Sequence, residues 1–238
     1  MTCWNAMKGK LYGVGIGPGD PGLITIKAKD LIETIKNIIV PVKNIGESST
    51  ALEIVKKTVD LNGKNIIPLK FEMDGGKDNF VKCGMSAGDE IAKVLSKGED
   101  AVMITLGDVS IYSTYMYLND YVRKLGFDTE IVPGVPSFSH AAALSGMPLV
   151  LSNESLIIMP GTSGILEIKK AIEGNENVVI MKSGGYMKDI VRIMKENNIP
   201  LEKAKVVSRA GMDGQYIGPL DPNRDFNYFT TTIIRKGE

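Results

Sequence analysis

The amino-acid sequence predicts an α/β protein of two domains, with a mostly parallel sheet in the first and a mixed sheet in the second. Short apolar segments of strand length alternate with longer amphipathic segments of helical period along the 238 residues. The register of this alternation shifts near residues 146–149, so we expect domains at 1–148 and 149–238, with residues 1–9 flexible. The second domain is shorter and ends in a long strand, which favours a mixed sheet.

Nine apolar segments are predicted strands, and several of them are apolar throughout, as is typical of strands buried on both faces. They cover residues 11–16, 38–42, 65–69, 101–106, 130–132, 155–159, 178–181, 205–207 and 228–234. Seven helices are predicted between them, the second of which opens with the capping-box pattern Thr50-Ala51-Leu52-Glu53. They cover residues 23–35, 50–58, 78–95, 112–125, 137–144, 165–172 and 188–196.

Composition excludes several classes of function. Lys and Arg number 28, as do Asp and Glu, and this balance argues against a general nucleic-acid binder. No apolar run reaches the ~18 residues of a membrane span, and the N-terminus lacks a signal-peptide pattern, so we expect a cytoplasmic protein with no membrane partner. Cys3 and Cys83 match no metal or redox spacing, and His140 is the one histidine, so no metal site is predicted.

The first predicted strand runs into a glycine-rich loop at residues 13–22. A dinucleotide-binding motif needs its third glycine three residues after the second. That position holds Pro18 when the motif starts at Gly13 and Asp20 when it starts at Gly15. The second strand leads into Lys43 and offers no acid for a ribose hydroxyl. The pattern therefore disfavours a nicotinamide cofactor.

Two further predicted strands also end in glycine-bearing turns. The fourth leads into Leu106-Gly107-Asp108, and the fifth leads into Val132-Pro133-Gly134. The carboxyl ends of parallel strands meet at one edge of a sheet, which is where open α/β sheets bind ligands. We expect the three glycine-bearing turns to converge at that edge.

Taken in order, these segments resemble the tetrapyrrole (cobalamin-type) methyltransferase family. Residues 14–23, 106–108 and 132–135 occur in the family's order and spacing, and a weaker match extends from residues 179–181 to 230–233. The subgroup it most resembles methylates carbon 20 of precorrin-2 or of its cobalt form, cobalt-factor II. Residues 41–43, 49–54, 107–113 and 135–139 carry that finer similarity.

The resemblance implies an enzyme with the two-domain tetrapyrrole methylase fold, a homodimer that binds S-adenosylmethionine in a cleft between its domains. The substrate it implies is precorrin-2 or cobalt-factor II. No catalytic residue is assigned by it. The cofactor-binding residues that it implies are Pro18, Leu106, Gly107, Asp108, Ile111, Pro136, Ser137, Met181, Ala210 and Thr231.

The sequence departs from the family at two positions. Uroporphyrinogen methyltransferases carry an acid, proposed as a base, at the end of the second strand, where this chain has Val42. Val109 stands where many relatives have proline. The first departure disfavours uroporphyrinogen as the substrate.

Several side chains have two interpretations. Asp108 either makes a polar contact to the methionine part of the cofactor or to a neighbouring backbone, or it caps a helix. Tyr112 either contacts substrate or belongs to the core, and Ser137 either lies beside the cofactor or caps the helix that follows. His140 is either a buried, hydrogen-bonded side chain or a proton carrier. Met181 is either a core residue or a cofactor contact.

The implied substrate carries many carboxylates, which nearby cations would attract. Each candidate cation also fits an ordinary surface charge: Lys43, Lys70, Lys182, Lys188 and Arg209. Two alternatives to the carbon-20 reaction stay open. One is a methyltransferase of the same fold acting on another corrin-ring carbon or on a macromolecule, and the other is a nucleotide-binding α/β oxidoreductase or sensor.

Overall fold

The computed structural model describes residues 8–71 and 76–237. Most of the segment predicted to be flexible, including Cys3, lies outside the described residues. Lys8 and Gly9 are described, and hydrogen bonds hold both of them. The Gly9 N–H donates to the Leu95 carbonyl at 2.8 Å, and Lys8 Nζ donates to the Gly126 carbonyl at 3.1 Å.

The chain divides into two compact units, Met1–Pro136 and Ser137–Glu238. This division lies before the boundary that we expected after residue 148. The difference arises because the helix Ser137–Ser145 buries Ala141 and Ala142 in the apolar core of the second unit. Residues that the sequence pattern assigned to the end of the first domain therefore belong to the second.

The first unit is a five-stranded sheet in which every neighbouring pair of strands is parallel, as predicted. Its strand order is β3-β2-β4-β1-β5. Its elements are β1 Leu11–Gly15, α1 Ile26–Thr34, β2 Asn37–Val42, α2 Thr50–Val55, β3 Asn65–Lys70, α3 Gly76–Leu95, β4 Ala101–Thr105, α4 Tyr115–Lys124 and β5 Thr129–Val132. β1 lies between β4 and β5, since Gly15 is in register with Thr105 of β4 and Val14 with Val132 of β5.

The second unit has a mixed sheet of order β6-β7-β10-β8-β9, which confirms the prediction. β6 and β7 are parallel, whereas β10 runs antiparallel to β7 and to β8, and β9 runs antiparallel to β8. The elements are α5 Ser137–Ser145, β6 Leu156–Pro160, α6 Ile165–Gly174, β7 Asn177–Met181, α7 Met187–Glu196, β8 Ala204–Ser208, β9 Tyr216–Gly218 and β10 Thr230–Arg235.

The two faces of the second sheet carry separate apolar clusters. α6 and α7 cover one face, where Val178, Ile180 and Ile234 are fully buried. α5 covers the other face, which buries Val179 and Ile233. Alternate residues of one strand point to opposite faces, so neighbouring residues of β7 and β10 face different helices.

The starts of two helices differ from prediction for local reasons. α1 begins at Ile26 because Thr25 caps it, and Pro21–Leu23 forms a 3₁₀ turn instead. Ser49, one residue before the predicted capping box, caps α2 with its hydroxyl. The short strand β9 was not predicted. Among the described residues, no helix is both long enough and apolar enough to cross a membrane.

Candidate functional site

Three glycine-bearing turns meet at the carboxyl edge of the first sheet, as predicted. They follow β1, β4 and β5, and they meet at Gly15, the last residue of β1, at Gly107 and at Gly134. Two backbone hydrogen bonds join the first turn to the second. The Gly107 N–H donates to the Gly17 carbonyl at 2.7 Å, and the Gly17 N–H donates to the Gly107 carbonyl at 3.2 Å.

Glycine is required here because the turns touch through their backbones. A Cβ on Gly134 would lie 2.3 Å from the Gly107 carbonyl oxygen and 2.7 Å from the Gly15 carbonyl carbon. A Cβ on Gly15 would lie 2.6 Å from the Gly134 nitrogen. These are backbone atoms, which cannot move aside as a flexible side chain can. Close backbone packing therefore accounts for the glycines at positions 15 and 134.

Asp108 ties the second turn to the third. One carboxylate oxygen, Oδ2, accepts a hydrogen bond from the Gly134 N–H at 2.9 Å. The other, Oδ1, accepts from the Ser110 N–H at 2.8 Å and from the Ser110 hydroxyl. The helix-cap interpretation of Asp108 is wrong, because α4 begins at Tyr115 and Thr114 stands at its cap position. The alternative, a contact to a neighbouring backbone, is what the structure has.

The electrostatics of Asp108 favour its charged form. Its side chain is buried, and burial alone would favour the neutral acid. The hydrogen bonds from the Ser110 hydroxyl and from the N–H groups of Gly134, Ser110 and Val109 outweigh this effect and lower the pKa below its ordinary value. Asp108 is therefore a fixed negative charge whose hydrogen bonds define the shape of two turns.

The other candidates in the first unit surround these turns. Pro18 is buried in the turn after β1, and Leu106 and Ile111 are partly buried on either side of Gly107 and Asp108. Pro136, the last residue of the unit, is also partly buried. Around the turns this set offers apolar side chains, backbone polar groups and one carboxylate.

Tyr112 does not belong to the core. Its side chain is 47% exposed and its backbone is left-handed, with φ of 50°, which explains why α4 begins three residues later than predicted. The core tyrosine is Tyr115, which the sequence analysis did not single out. Its ring lies over Gly13, where an added Cβ would be 2.3 Å from the ring carbon Cζ. Burial raises the pKa of the Tyr115 phenol above its usual range.

The candidates in the second unit gather at the end of three adjacent strands. Met181 of β7 and Thr231 of β10 are register partners, and Thr231 is also opposite Val207 of β8. Ala210 follows β8, and both Ala210 and Met181 pack against the apolar cluster under α5. Thr231 is 6% exposed. The core interpretation of Met181 is consistent with this packing and does not conflict with a place at the strand end.

Ser137 and His140 lie on α5, in the same unit. Ser137 is its first residue, and both side chains are partly exposed. His140 is thus less buried than its core interpretation required. Within residues 8–71 and 76–237, no group of three or more His, Cys, Asp or Glu side chains could hold a metal ion.

The chain matches the family described as Tetrapyrrole (Corrin/Porphyrin) Methylases over residues 10–221. It is 33% identical, over 98% of each chain, to a protein of Methanocaldococcus jannaschii named probable cobalt-precorrin-2 C(20)-methyltransferase. It is 29% identical to the cobalt-precorrin-2 C(20)-methyltransferase of Salmonella typhimurium, over 97% of this chain and 98% of the relative.

The fold also matches solved structures. The structure of a cobalt precorrin-4 methyltransferase superimposes with a TM-score of 0.71 at 19% identity, covering 95% of this chain and 94% of the other. At that identity the likeness concerns the fold alone. It agrees with a parallel five-stranded sheet followed by a mixed five-stranded sheet.

Proposed function

Because the chain belongs to the tetrapyrrole (corrin/porphyrin) methylase family, we propose that it methylates carbon 20 of precorrin-2 or cobalt-factor II during cobalamin biosynthesis. S-adenosylmethionine is the proposed methyl donor. The observation that carries the proposal is similarity along nearly the whole chain to relatives named for this reaction, at 33% and 29% identity. The alternative of a nicotinamide-dependent oxidoreductase lacks its glycine motif and its ribose-binding acid.

The chemistry of the candidate residues fits the cofactor. An adenosine needs apolar walls and a small number of fixed polar groups. Pro18, Leu106 and Ile111 offer apolar surface around the turns of the first unit, and the backbone at Gly107 is fixed by its bonds to Gly17. Thr231 adds a buried hydroxyl. We propose the same role for the remaining candidates Gly107, Asp108, Pro136, Ser137, Met181 and Ala210.

The cofactor supplies a methyl group already activated on a sulfonium. The protein's own contribution is then to hold the reacting carbon in line and to exclude water, which are effects of orientation rather than of acid–base chemistry. Val42, at the end of β2, is 6% exposed and apolar, so it offers no base. Asp108 acts through the backbone it holds, because hydrogen bonds engage both of its carboxylate oxygens.

The proposal is tested by incubating the protein with isotopically labelled S-adenosylmethionine and each tetrapyrrole, followed by mass and NMR analysis. We expect one labelled methyl group on carbon 20. A labelled methyl on another ring carbon would move the protein to a different reaction of the same family. No labelled product from either tetrapyrrole would overturn the proposal.

Two further properties belong to the proposal. We infer a homodimer and a cytoplasmic enzyme, as the family resemblance implies. Light scattering at several protein concentrations tests the first, and cell fractionation tests the second. A monomer at micromolar concentration would contradict the inferred assembly without affecting the reaction.

A further inference from the structure

Two basic residues stand at corresponding places on the second sheet. Lys182 directly follows β7, and Arg209 directly follows β8. Both strands pair with β10, one on each side, so Lys182 lies beside Thr230, the first residue of β10, and Arg209 lies beside the preceding residue, Phe229. Two strand spacings separate their backbones, which is roughly 10 Å.

Both residues have a left-handed backbone, with φ of 56° at Lys182 and 53° at Arg209. Residues with side chains disfavour this conformation, whereas glycine adopts it readily. Such conformations persist where the surrounding structure enforces them and are found most often at functional sites. Here two such residues lie on either side of β10, and both are basic. Glycine would fit these positions with less strain, so the presence of Lys182 and Arg209 suggests that their charged side chains have a function.

Hydrogen bonds to β10 and to the residue before it enforce this geometry. The Arg209 N–H donates to the Phe229 carbonyl at 2.7 Å, and the Ser183 N–H donates to the Thr230 carbonyl at 2.9 Å. The first bond holds Arg209 itself, and the second holds Ser183, the residue after Lys182.

A buried hydroxyl network lies beside these turns. The hydroxyls of Ser183 and Thr232 are 2.9 Å apart, and so are the hydroxyls of Thr230 and Ser208. All four residues are buried, with exposures between 0% and 5%. Satisfied polar networks of this kind make their surroundings rigid. The network therefore helps to keep the turns at Lys182 and Arg209 rigid.

The two basic side chains are also held in place. Lys182 Nζ lies 5.1 Å from the centre of the Tyr228 ring, and Arg209 Nε donates to the Asp213 carbonyl at 2.5 Å. Both residues are partly buried, whereas the other three candidate cations, Lys43, Lys70 and Lys188, are exposed. Burial thus distinguishes Lys182 and Arg209 from the other three candidate cations.

We propose that Lys182 and Arg209 form a clamp that binds two carboxylate side chains of the tetrapyrrole. The identity of the ligand rests on the proposed function, and the clamp itself rests on the geometry of the second sheet. Each cation is a chain neighbour of a proposed cofactor residue, Met181 in one case and Ala210 in the other. Biosynthetic tetrapyrroles carry acetate and propionate groups, which a lysine and an arginine bind through charge-assisted hydrogen bonds.

The test is equilibrium binding of cobalt-factor II to the full-length protein without cofactor, followed by absorbance. We expect the double variant Lys182→Met/Arg209→Met to raise the Kd at least about tenfold, since each lost bond is to a charged group. The matched control Lys188→Met changes an exposed lysine of the same unit and should leave the Kd within about twofold. Affinity for S-adenosylmethionine should be unchanged by the double variant.

Two further measurements separate binding from a structural role. The Kd of the wild-type protein should rise with salt, and the double variant should lose most of that dependence. Lys182→Gly should raise the Tm by about 2 °C or more, because it relieves the left-handed strain, and should still weaken tetrapyrrole binding. A purely structural lysine would not give both effects.

The outcomes distinguish the clamp from the proposed function. Equal Kd values for the wild type and the double variant would overturn the clamp and leave the methyltransferase proposal standing. Weaker binding by the double variant, together with no methyl transfer by the wild type, would support the clamp and overturn the function. Failure of the wild type to bind either cobalt-factor II or precorrin-2 would overturn both.

Discussion

The Asp108 carboxylate accepts a hydrogen bond from the Gly134 N–H at 2.9 Å, across 26 residues of sequence. β4 and β5, which these residues follow, lie on opposite sides of β1. The bond therefore crosses the end of β1, at Gly15, where an added Cβ would be 2.6 Å from the Gly134 nitrogen. One carboxylate and two glycines thus fix the relative positions of three turns.

Asp108→Ala is expected to destabilise the protein by about 2 kcal/mol, because it leaves N–H groups of Ser110 and Gly134 without their acceptor. Urea unfolding measures this change. Calorimetry should show weaker binding of S-adenosylmethionine, since the turns lose their fixed geometry. The control Asp30→Ala changes an exposed residue of α1 and should alter neither quantity. Unchanged cofactor affinity in a folded Asp108→Ala protein would remove this turn from the cofactor site.

Gly134→Ala tests the close approach of the turns. Its Cβ would meet backbone atoms at 2.3 and 2.7 Å, so the turns must separate, at a cost of about 1–3 kcal/mol typical of overpacking. We expect a lower Tm and weaker cofactor binding. Gly84→Ala is the matched control in the same unit, since its Cβ would meet neighbours at an ordinary 3.4 Å and alanine favours its helix. Equal stability of the two variants would show that the turns can adapt.

Much of the fold followed from the sequence because local patterns determine it. Apolar runs predicted nine of the ten strands in the described part of the chain, and the missing one, Tyr216–Gly218, is three residues long and pairs with β8 at the edge of its sheet. The convergence of the glycine turns followed from parallel strand ends sharing an edge. The start of α4 could not be predicted, because the left-handed backbone of Tyr112 has no signal in residue type.

The candidate site was less predictable because long-range contacts define it. The helix-cap interpretation of Asp108 considered its chain neighbours, whereas its partner Gly134 belongs to another turn. The position of Gly13 under the Tyr115 ring likewise depends on how α4 packs on the sheet. The left-handed backbone at Lys182 and Arg209 follows from pairing with β10. None of these relationships leaves a periodic pattern in the sequence.

Glu130→Gln should reduce the sensitivity of the fold to acid. Lys10 Nζ and Lys27 Nζ lie 2.6 and 2.5 Å from the Glu130 carboxylate, and these hydrogen bonds lower its pKa from 4.5 to about 2. A lowered pKa contributes stability that is complete above the unfolded value and is lost as the pH falls towards 2.

The free energy of unfolding of the wild type should therefore decline between about pH 5 and pH 2, and the variant should decline less over that range. Urea unfolding at a series of pH values gives both slopes. Lys27→Met removes one of the two partners, so its slope should be intermediate. If the slope of Glu130→Gln equals that of the wild type, the ion pairs do not stabilise the folded state.

Two adjacent threonines of β10 have different expected roles: Thr230 stabilises the fold, and Thr231 is a proposed cofactor contact. Thr230 and Thr231 are both buried, and as neighbours on β10 they point to opposite faces of the sheet. The Thr230 hydroxyl donates to the Asn227 carbonyl at 2.7 Å, and its oxygen lies 2.9 Å from Ser208 Oγ. Thr231 is instead on the face that α5 covers, opposite Met181.

Valine has nearly the shape of threonine and suits a strand, so each substitution removes one hydroxyl with little change in packing. Thr230→Val should lose about 1–2 kcal/mol of stability, because Ser208 and Asn227 lose a buried partner. Thr231→Val should leave the Tm close to that of the wild type and weaken S-adenosylmethionine binding measured by calorimetry. Each variant is the control for the other. Weaker cofactor binding by Thr230→Val alone would place the cofactor contact on the α6 and α7 face, against the proposed assignment of Thr231.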